Sequence, residues 1–365
     1  MNEQASIQRG ASVLDGLIAK RSAKEMGDPL PSRSNVAEGP SSSILHPLRV
    51  IGLHDFIALK ITPRSAILGP WLMTQSLNMI YGWRGVGKTH VSLGVAYAVA
   101  SGGTFLNWSA EKPRRVLVLD GEMPAGALQA RLAAIAASNE RQPEEGFLSL
   151  VTPDLQTGIM PDLSTHAGQE EVNAAIEKSG AELIIVDNLS CLVRGSGREN
   201  DAESWTPVAE WALFQRQLGR SVLFIHHAGK GGQQRGTSKR EDLLDVVISL
   251  RRPPDYDPAN GACFEVHFEK ARHLLGDEVS PIEAMLTTDP DGLASWAYRL
   301  VEETTSERII ELARDGLTQA EIADELQISR STVCRACRKA EEEGKLEKTN
   351  SGKGANQYQN RGKAR

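Results

Sequence analysis

The chain has 365 residues, 40% hydrophobic and 24% charged, with only 4 Cys. That is more than one ordinary domain, and four scattered cysteines cannot form a disulfide framework. No stretch approaches the ~18 consecutive apolar residues of a membrane span, and no secretory pattern opens the chain, so a cytoplasmic protein without a membrane partner is expected. The net charge of −6 is uneven: residues 329–365 carry 10 Lys/Arg against 4 Asp/Glu, or +6, leaving −12 for the rest. This excludes a general polyanion binder and marks the last tenth as a contact point for nucleic acid.

In chain order, residues 1–45 carry linker signals (Gly27-Asp28-Pro29-Leu30-Pro31-Ser32, Ser41-Ser42-Ser43) and are expected to be a disordered arm. Short apolar runs then alternate with longer helical ones. Strands are predicted at Leu77–Tyr81, Val116–Leu119, Phe147–Val151, Leu183–Val186 and Ser221–Ile225. Helices are predicted between them at Lys88–Ala100, Ala125–Ala137, Gln169–Lys178 and Glu203–Leu218. The runs Val116–Leu119 and Leu183–Val186 are apolar throughout, as in strands buried on both faces of a parallel sheet. Beyond Asp245 the texture is strand on strand: Val246–Leu250, Phe264–Lys270, Ala284–Thr287 and Trp296–Leu300. The expected architecture is an α/β P-loop core over 46–303, its mainly parallel sheet extended by antiparallel strands. A small C-terminal helical domain over 304–350 and a basic flexible tail over 351–365 follow.

Gly82-Trp83-Arg84-Gly85-Val86-Gly87-Lys88-Thr89 fits G-x-x-x-x-G-K-[ST], placed after a strand and before a helix. Its backbone N–H groups, with His90 after it, are expected to hold the phosphates of ATP. Lys88 would reach the β/γ oxygens and Thr89 would offer a hydroxyl to Mg²⁺. Asp187, ending Leu183-Ile184-Ile185-Val186-Asp187-Asn188, is the expected second Mg²⁺ carboxylate, although a turn or helix-cap Asp has the same look. Leu119-Asp120-Gly121-Glu122 repeats the pattern of an acid-tipped strand.

Together with Leu68-Gly69-Pro70-Trp71-Leu72 and Phe224-Ile225-His226-His227-Ala228-Gly229-Lys230, these motifs resemble the RecA-like ATPases of the plasmid RepA helicase group, near the DnaB-type hexameric helicases. The resemblance covers roughly residues 45–303. It implies that Glu122 polarises the attacking water and that His226 or His227 senses the γ-phosphate. It further implies that Lys270 and Arg272 cross a subunit boundary as a finger for the transferring phosphoryl group. The glycine-rich loop containing Lys230 and Arg235 would be a channel loop touching single-stranded DNA, or a plain surface linker. The loop Arg194–Asn200 is a second basic candidate.

Thr318–Lys339 looks like a helix-turn-helix, with a first helix Gln319–Leu326 capped by Thr318 and a second starting near Ser329. Arg330, Ser331, Thr332, Arg335 and Arg338 would face duplex DNA, and Gly344-Lys345-Leu346 would open a wing. A protein-binding bundle on the same scaffold is the alternative, and Cys334 and Cys337 are read as packing residues. The combined expectation is an ATP- and Mg²⁺-dependent homohexameric helicase for replication of a plasmid or mobile element. Its rivals are a DNA-dependent ATPase that remodels without unwinding and a nucleotide-switched DNA-binding regulator.

Overall fold

The computed structural model describes residues 48–195, 202–229, 242–253, 256–257, 261–290, 293–348 and 358–359. The arm 1–45, Lys230, Arg235, residues 196–200 and most of the basic tail lie outside the described residues. Residues up to Pro63 and those from Arg64 onward form two units. In the first, Leu53–Ala58 is a short helix, α1, with no buried residue.

The second unit opens with the hairpin β1 (Ala66–Leu68) and β2 (Leu72–Met73), then β3 (Leu77–Gly82) and α2 (Lys88–Ser101). A further hairpin, β4 (Thr104–Phe105) and β5 (Trp108–Ser109), precedes β6 (Val116–Asp120), α3 (Ala125–Ala137) and β7 (Leu148–Val151). Next come α4 (His166–Ser179), β8 (Leu183–Asp187), α5 (Leu189–Leu192), α6 (Ala202–Gln217) and β9 (Ser221–His227). Strands β10 (Val246–Arg251), β11 (Cys263–Ala271), β12 (Ile282–Thr288) and β13 (Ala294–Leu300) complete the core.

Nine strands make one sheet in the order β13-β12-β11-β10-β3-β9-β8-β6-β7. From β10 through β7 every neighbouring pair is parallel, while β10–β11, β11–β12 and β12–β13 are antiparallel. Connection length follows the pairing where it can be read: helices lie on the paths from β3 to β6, β6 to β7, β7 to β8 and β8 to β9, whereas only five residues separate the antiparallel neighbours β12 and β13.

The uninterrupted apolar runs are explained by burial on both sides. Val116, Val118, Ile185 and Ile225 pack with Val91, Val95 and Val99 of α2, whereas Leu117, Leu119, Ile184 and Phe224 pack with Val172 and Ile176 of α4 and Trp205 and Val208 of α6. The two hairpins close the α2 face. Their Trp71 and Trp108 rings meet edge to face at 5.3 Å, a geometry worth about 0.5–1.5 kcal/mol beyond area burial. Neither hairpin is predicted as a strand pair, although Leu68–Leu72 of the first is one of the motifs of the resemblance, because strands of two or three residues leave no alternation to read.

β13 passes at Leu300 straight into α7 (Val301–Arg314), followed by α8 (Gln319–Glu325) and α9 (Arg330–Glu342). A capping box at Thr318 and Glu321 starts α8, and the Ser329 hydroxyl caps α9. Ile309, Ala313, Ile322, Leu326, Val333 and Cys337 form a separate small core, so Cys337 is a packing residue. A two-residue ribbon, β14 (Glu347–Lys348) with β15 (Tyr358–Gln359), adds a wing. The helical domain is fastened to the sheet: Arg308 donates to Glu283 of β12 at 2.5 Å, and Arg299 of β13 pairs with Glu307 at 2.5 Å. No helix among the described residues is long and apolar enough to cross a membrane.

Candidate active site

β3 lies between β9 and β10 in the sheet, and its carboxyl end carries the glycine-rich loop. Gly82 is demanded by close approach, since a Cβ there would sit 2.7 Å from the Leu250 carbonyl oxygen of β10. Gly87 has φ +111, a backbone that L side chains resist, and it caps α2. The loop thus feeds unpaired helix N–H groups toward one point, where an anion is favoured. Lys88 turns its ammonium back over this loop and donates to the carbonyls of Gly82 at 3.0 Å and Trp83 at 2.8 Å. Burial lowers its pKa to about 8; Asp187 and Glu122 pull it back upward, and Arg84 adds to the depression. Trp83 and Arg84 are exposed, while Val86 is buried beneath the loop.

Asp120 and Asp187 pair in register at the ends of β6 and β8. Asp187 is buried and accepts from the Ser92 hydroxyl at 2.7 Å. Its pKa is raised to about 6 by burial and by Asp120, against the lowering effects of Ser92, Lys88 and a hydrogen bond with Thr89. No group of three or more His, Cys, Asp or Glu side chains suited to a metal occurs among the described residues. Mg²⁺ does not require one, because it keeps waters and leans on phosphate, needing one or two hard protein oxygens. A Thr hydroxyl joined to a carboxylate that burial leaves short of positive charge fits that need.

Asp120 has a different task. Its Oδ1 accepts the backbone N–H groups of Glu122 at 3.0 Å and Met123 at 2.7 Å, which fixes the turn that presents Glu122. Burial raises the Asp120 pKa, and those two hydrogen bonds oppose the rise. Glu122 is largely exposed and its Oε2 accepts from Asn188 Nδ2 at 2.5 Å; His227 Nε2 stands 3.7 Å from the same oxygen. Both histidines end β9 and are buried. Alternation along the strand puts His227 on the Ile225 face with α2, and His226 on the Phe224 face with α6.

The structure therefore brings Lys88, Thr89, Glu122, Asp187 and His227 to one edge of the sheet. His90 is not part of that cluster. Its ring lies near Trp296 at 6.2 Å, in a cleft of about 240 Å³ shared with Tyr97, Phe105 and Arg131. Burial, with the nearby Arg131 charge, drops its pKa to about 4. Lys270 and Arg272 are also elsewhere, at the opposite edge of the sheet. Lys270 pairs with Val247 and Val247 with Met79, three rows or roughly 10 Å below the loop. Both side chains point to the carbonyl of Asp242, Arg272 at 2.6 Å. Neither reaches the P-loop of its own chain.

Four contributors went unread in the sequence. Ser92 stands four residues after Lys88, on the same helix face, and that spacing was available as a signal. Asp120 as a turn-former had a local signal, an Asp followed by Gly at a strand end, whereas Asn188 as a partner of Glu122 becomes visible only once β6 and β8 lie side by side. Arg252, just beyond β10, brings a guanidinium nitrogen to 3.4 Å from where a Gly85 Cβ would sit, and its guanidinium lies 4.8 Å from the Tyr256 ring centroid. A cation at the carboxyl end of a strand neighbouring β3 could have flagged it.

A protein-family model described as an AAA domain matches residues 45–233, just over half of the chain, and spans the P-loop, Glu122, Asp187 and His227. The chain belongs to the AAA domain family. The match makes the P-loop core an ATPase domain, and a second family, described as a homeodomain-like domain, matches residues 307–348 over the helix-turn-helix. Among solved structures, a KaiC-like protein from the hyperthermophilic archaeon Pyrococcus horikoshii OT3 is 14% identical with a TM-score of 0.44, over 61% of this chain and 90% of that one. No curated protein matches the chain.

Proposed function

We propose that this AAA-domain ATPase is a Mg²⁺-dependent DNA motor of the RepA type, working as a homohexamer in the replication of a plasmid or mobile element. The observation that carries this reading is the division of charges between the two edges of one sheet. Lys88, Thr89, Glu122, Asp187 and His227 gather at the carboxyl edge, whereas Lys270 and Arg272 stand at the amino edge. A finger placed there can serve only the phosphate of a neighbouring copy, and this favours a site shared across a boundary.

In this mechanism Lys88 leaves its loop carbonyls for the β/γ oxygens, and Glu122 accepts a proton from the attacking water. His227, beside Glu122, reports the presence of the γ-phosphate. The neighbour's Arg272 spreads the charge of the transferring group. Thr89 and Asp187 would hold Mg²⁺, which supplies charge neutralisation on the phosphates when bound. Single-stranded DNA would be touched by the loop bearing Lys230 and Arg235, and duplex DNA by Arg330, Ser331, Thr332, Arg335 and Arg338. The exposure of Arg330, Arg335 and Arg338 on α9 supports the latter.

One experiment separates the possibilities. Particle mass with and without ATP, ATPase rate with and without single-stranded DNA, and strand displacement are measured on one preparation. A nucleotide-dependent ring with DNA-stimulated turnover and unwinding is expected. Stimulated turnover without displacement would replace the helicase by a remodelling ATPase. The direct junction of β13 and α7 favours a further reading, a DNA-binding regulator switched by nucleotide. That reading requires nucleotide-dependent DNA affinity with negligible steady-state turnover.

A further inference from the structure

Asn188 follows Asp187 at the end of β8 and is almost fully buried. Its side chain makes two bonds of opposite sense. Oδ1 accepts the backbone N–H of Cys191 at 3.2 Å and caps α5, while Nδ2 donates to Glu122 Oε2 at 2.5 Å. The amide orientation is therefore determined. Turning it over would place its oxygen against a carboxylate and leave the helix cap with a donor facing a donor. α5 is tied onward: Leu163 N–H donates to Leu192 carbonyl oxygen at 2.8 Å, and Arg194 N–H donates to Asp162 Oδ1 at 3.1 Å. The carboxylate of Glu122 is otherwise largely exposed and carried on a turn, where its rotamer would be free.

We infer that Asn188 is a positioning residue for ATP hydrolysis: it holds one oxygen of Glu122 so that the other is aimed at water, and it links that aim to the placement of α5. The inference rests on the proposed role of Glu122. It assigns the residue an activating part, because a carboxylate held by one oxygen gives up rotational freedom before the reaction rather than during it.

Ser is a good helix cap but its side chain is too short to cap α5 and reach Glu122 together. Asn188→Ser is therefore compared with Glu122→Gln and with the double variant, as full-length protein, by ATP affinity and by kcat. The single Asn188→Ser change is expected to leave ATP affinity within about twofold and to lower kcat by about ten- to a hundredfold, the loss of one hydrogen bond to a charged group. In the Glu122→Gln background it should cost nothing further, because its effect passes through the carboxylate. Losses that multiply in the double variant would mean a structural role for Asn188. A raised basal rate in Asn188→Ser would mean that it restrains Glu122, and either result overturns the inference. Full activity of Glu122→Gln would instead remove the proposed role of Glu122 itself.

Discussion

Two side chains at the P-loop carry the sharpest expectations at the residue scale. Glu122→Gln keeps the shape and the bond to Asn188 but cannot take a proton, so ATP should bind normally while turnover drops by about 10²–10⁴-fold. Equilibrium binding beside steady-state kinetics checks this, and loss of binding would move the role elsewhere. Lys88 makes a pH prediction. Its pKa in the nucleotide-free protein is about 8, and phosphate binds the protonated form, which the added negative charge then stabilises. Above pH 8 a proton must be taken up with the ligand, so ATP affinity should fall by up to about tenfold per pH unit. Below pH 8 the lysine contributes no such slope. A titration series from pH 7 to 10 showing flat affinity would contradict the buried, depressed lysine.

At the scale of elements, the strand edges decide what can be tested. Gly82→Ala would press a methyl group onto the Leu250 carbonyl, 2.7 Å away across β3 and β10, where neither backbone can yield without parting the sheet. A loss of about 1–3 kcal/mol is expected, read as a lower unfolding midpoint, and wild-type stability would show that the two strands can separate at that point. Arg272 on the opposite edge gives a complementation test. Arg272→Ala protein should bind ATP without hydrolysing it, and mixing with Lys88→Ala protein should restore part of the activity. Boundaries pairing an intact P-loop with an intact finger would form in such mixtures; mixtures that stay inactive at assembling concentrations would give Arg272 a structural role. Much of this layout was legible beforehand. Double burial left apolar runs at β6 and β8, and the predicted helix Ala125–Ala137 coincides with α3. The two hairpins escaped because they are too short to show a period. The bond between Glu122 and Asn188 escaped because it joins residues 66 apart in the chain, a distance closed only by strand pairing. Lys230 and Arg235 fall outside the described residues, so their part stays at the level of sequence.

For the molecule as a whole, the charge division between −12 through residue 328 and +6 beyond it makes the helical domain the part in which to test the proposed duplex binding. Replacing Arg335 and Arg338 by Ala should leave basal ATPase unchanged, since both are exposed on α9 and lie outside the cluster around Lys88. Duplex affinity should fall, and the slope of log affinity against log salt should become shallower by about 2, one for each lost phosphate contact. An unchanged slope would assign the helical domain to a protein partner. The junction at Leu300 and Val301 has a mechanical meaning as well. With no residue between β13 and α7, and with Arg308 paired to Glu283 inside the seam, the helical domain is held as a fixed head on the sheet. In a ring of copies the heads would stand as fixed teeth rather than tethered hooks. Their avidity would then depend on whether the spacing of teeth matches the helical repeat of the duplex, and DNA of the wrong pitch or curvature would meet one head at a time.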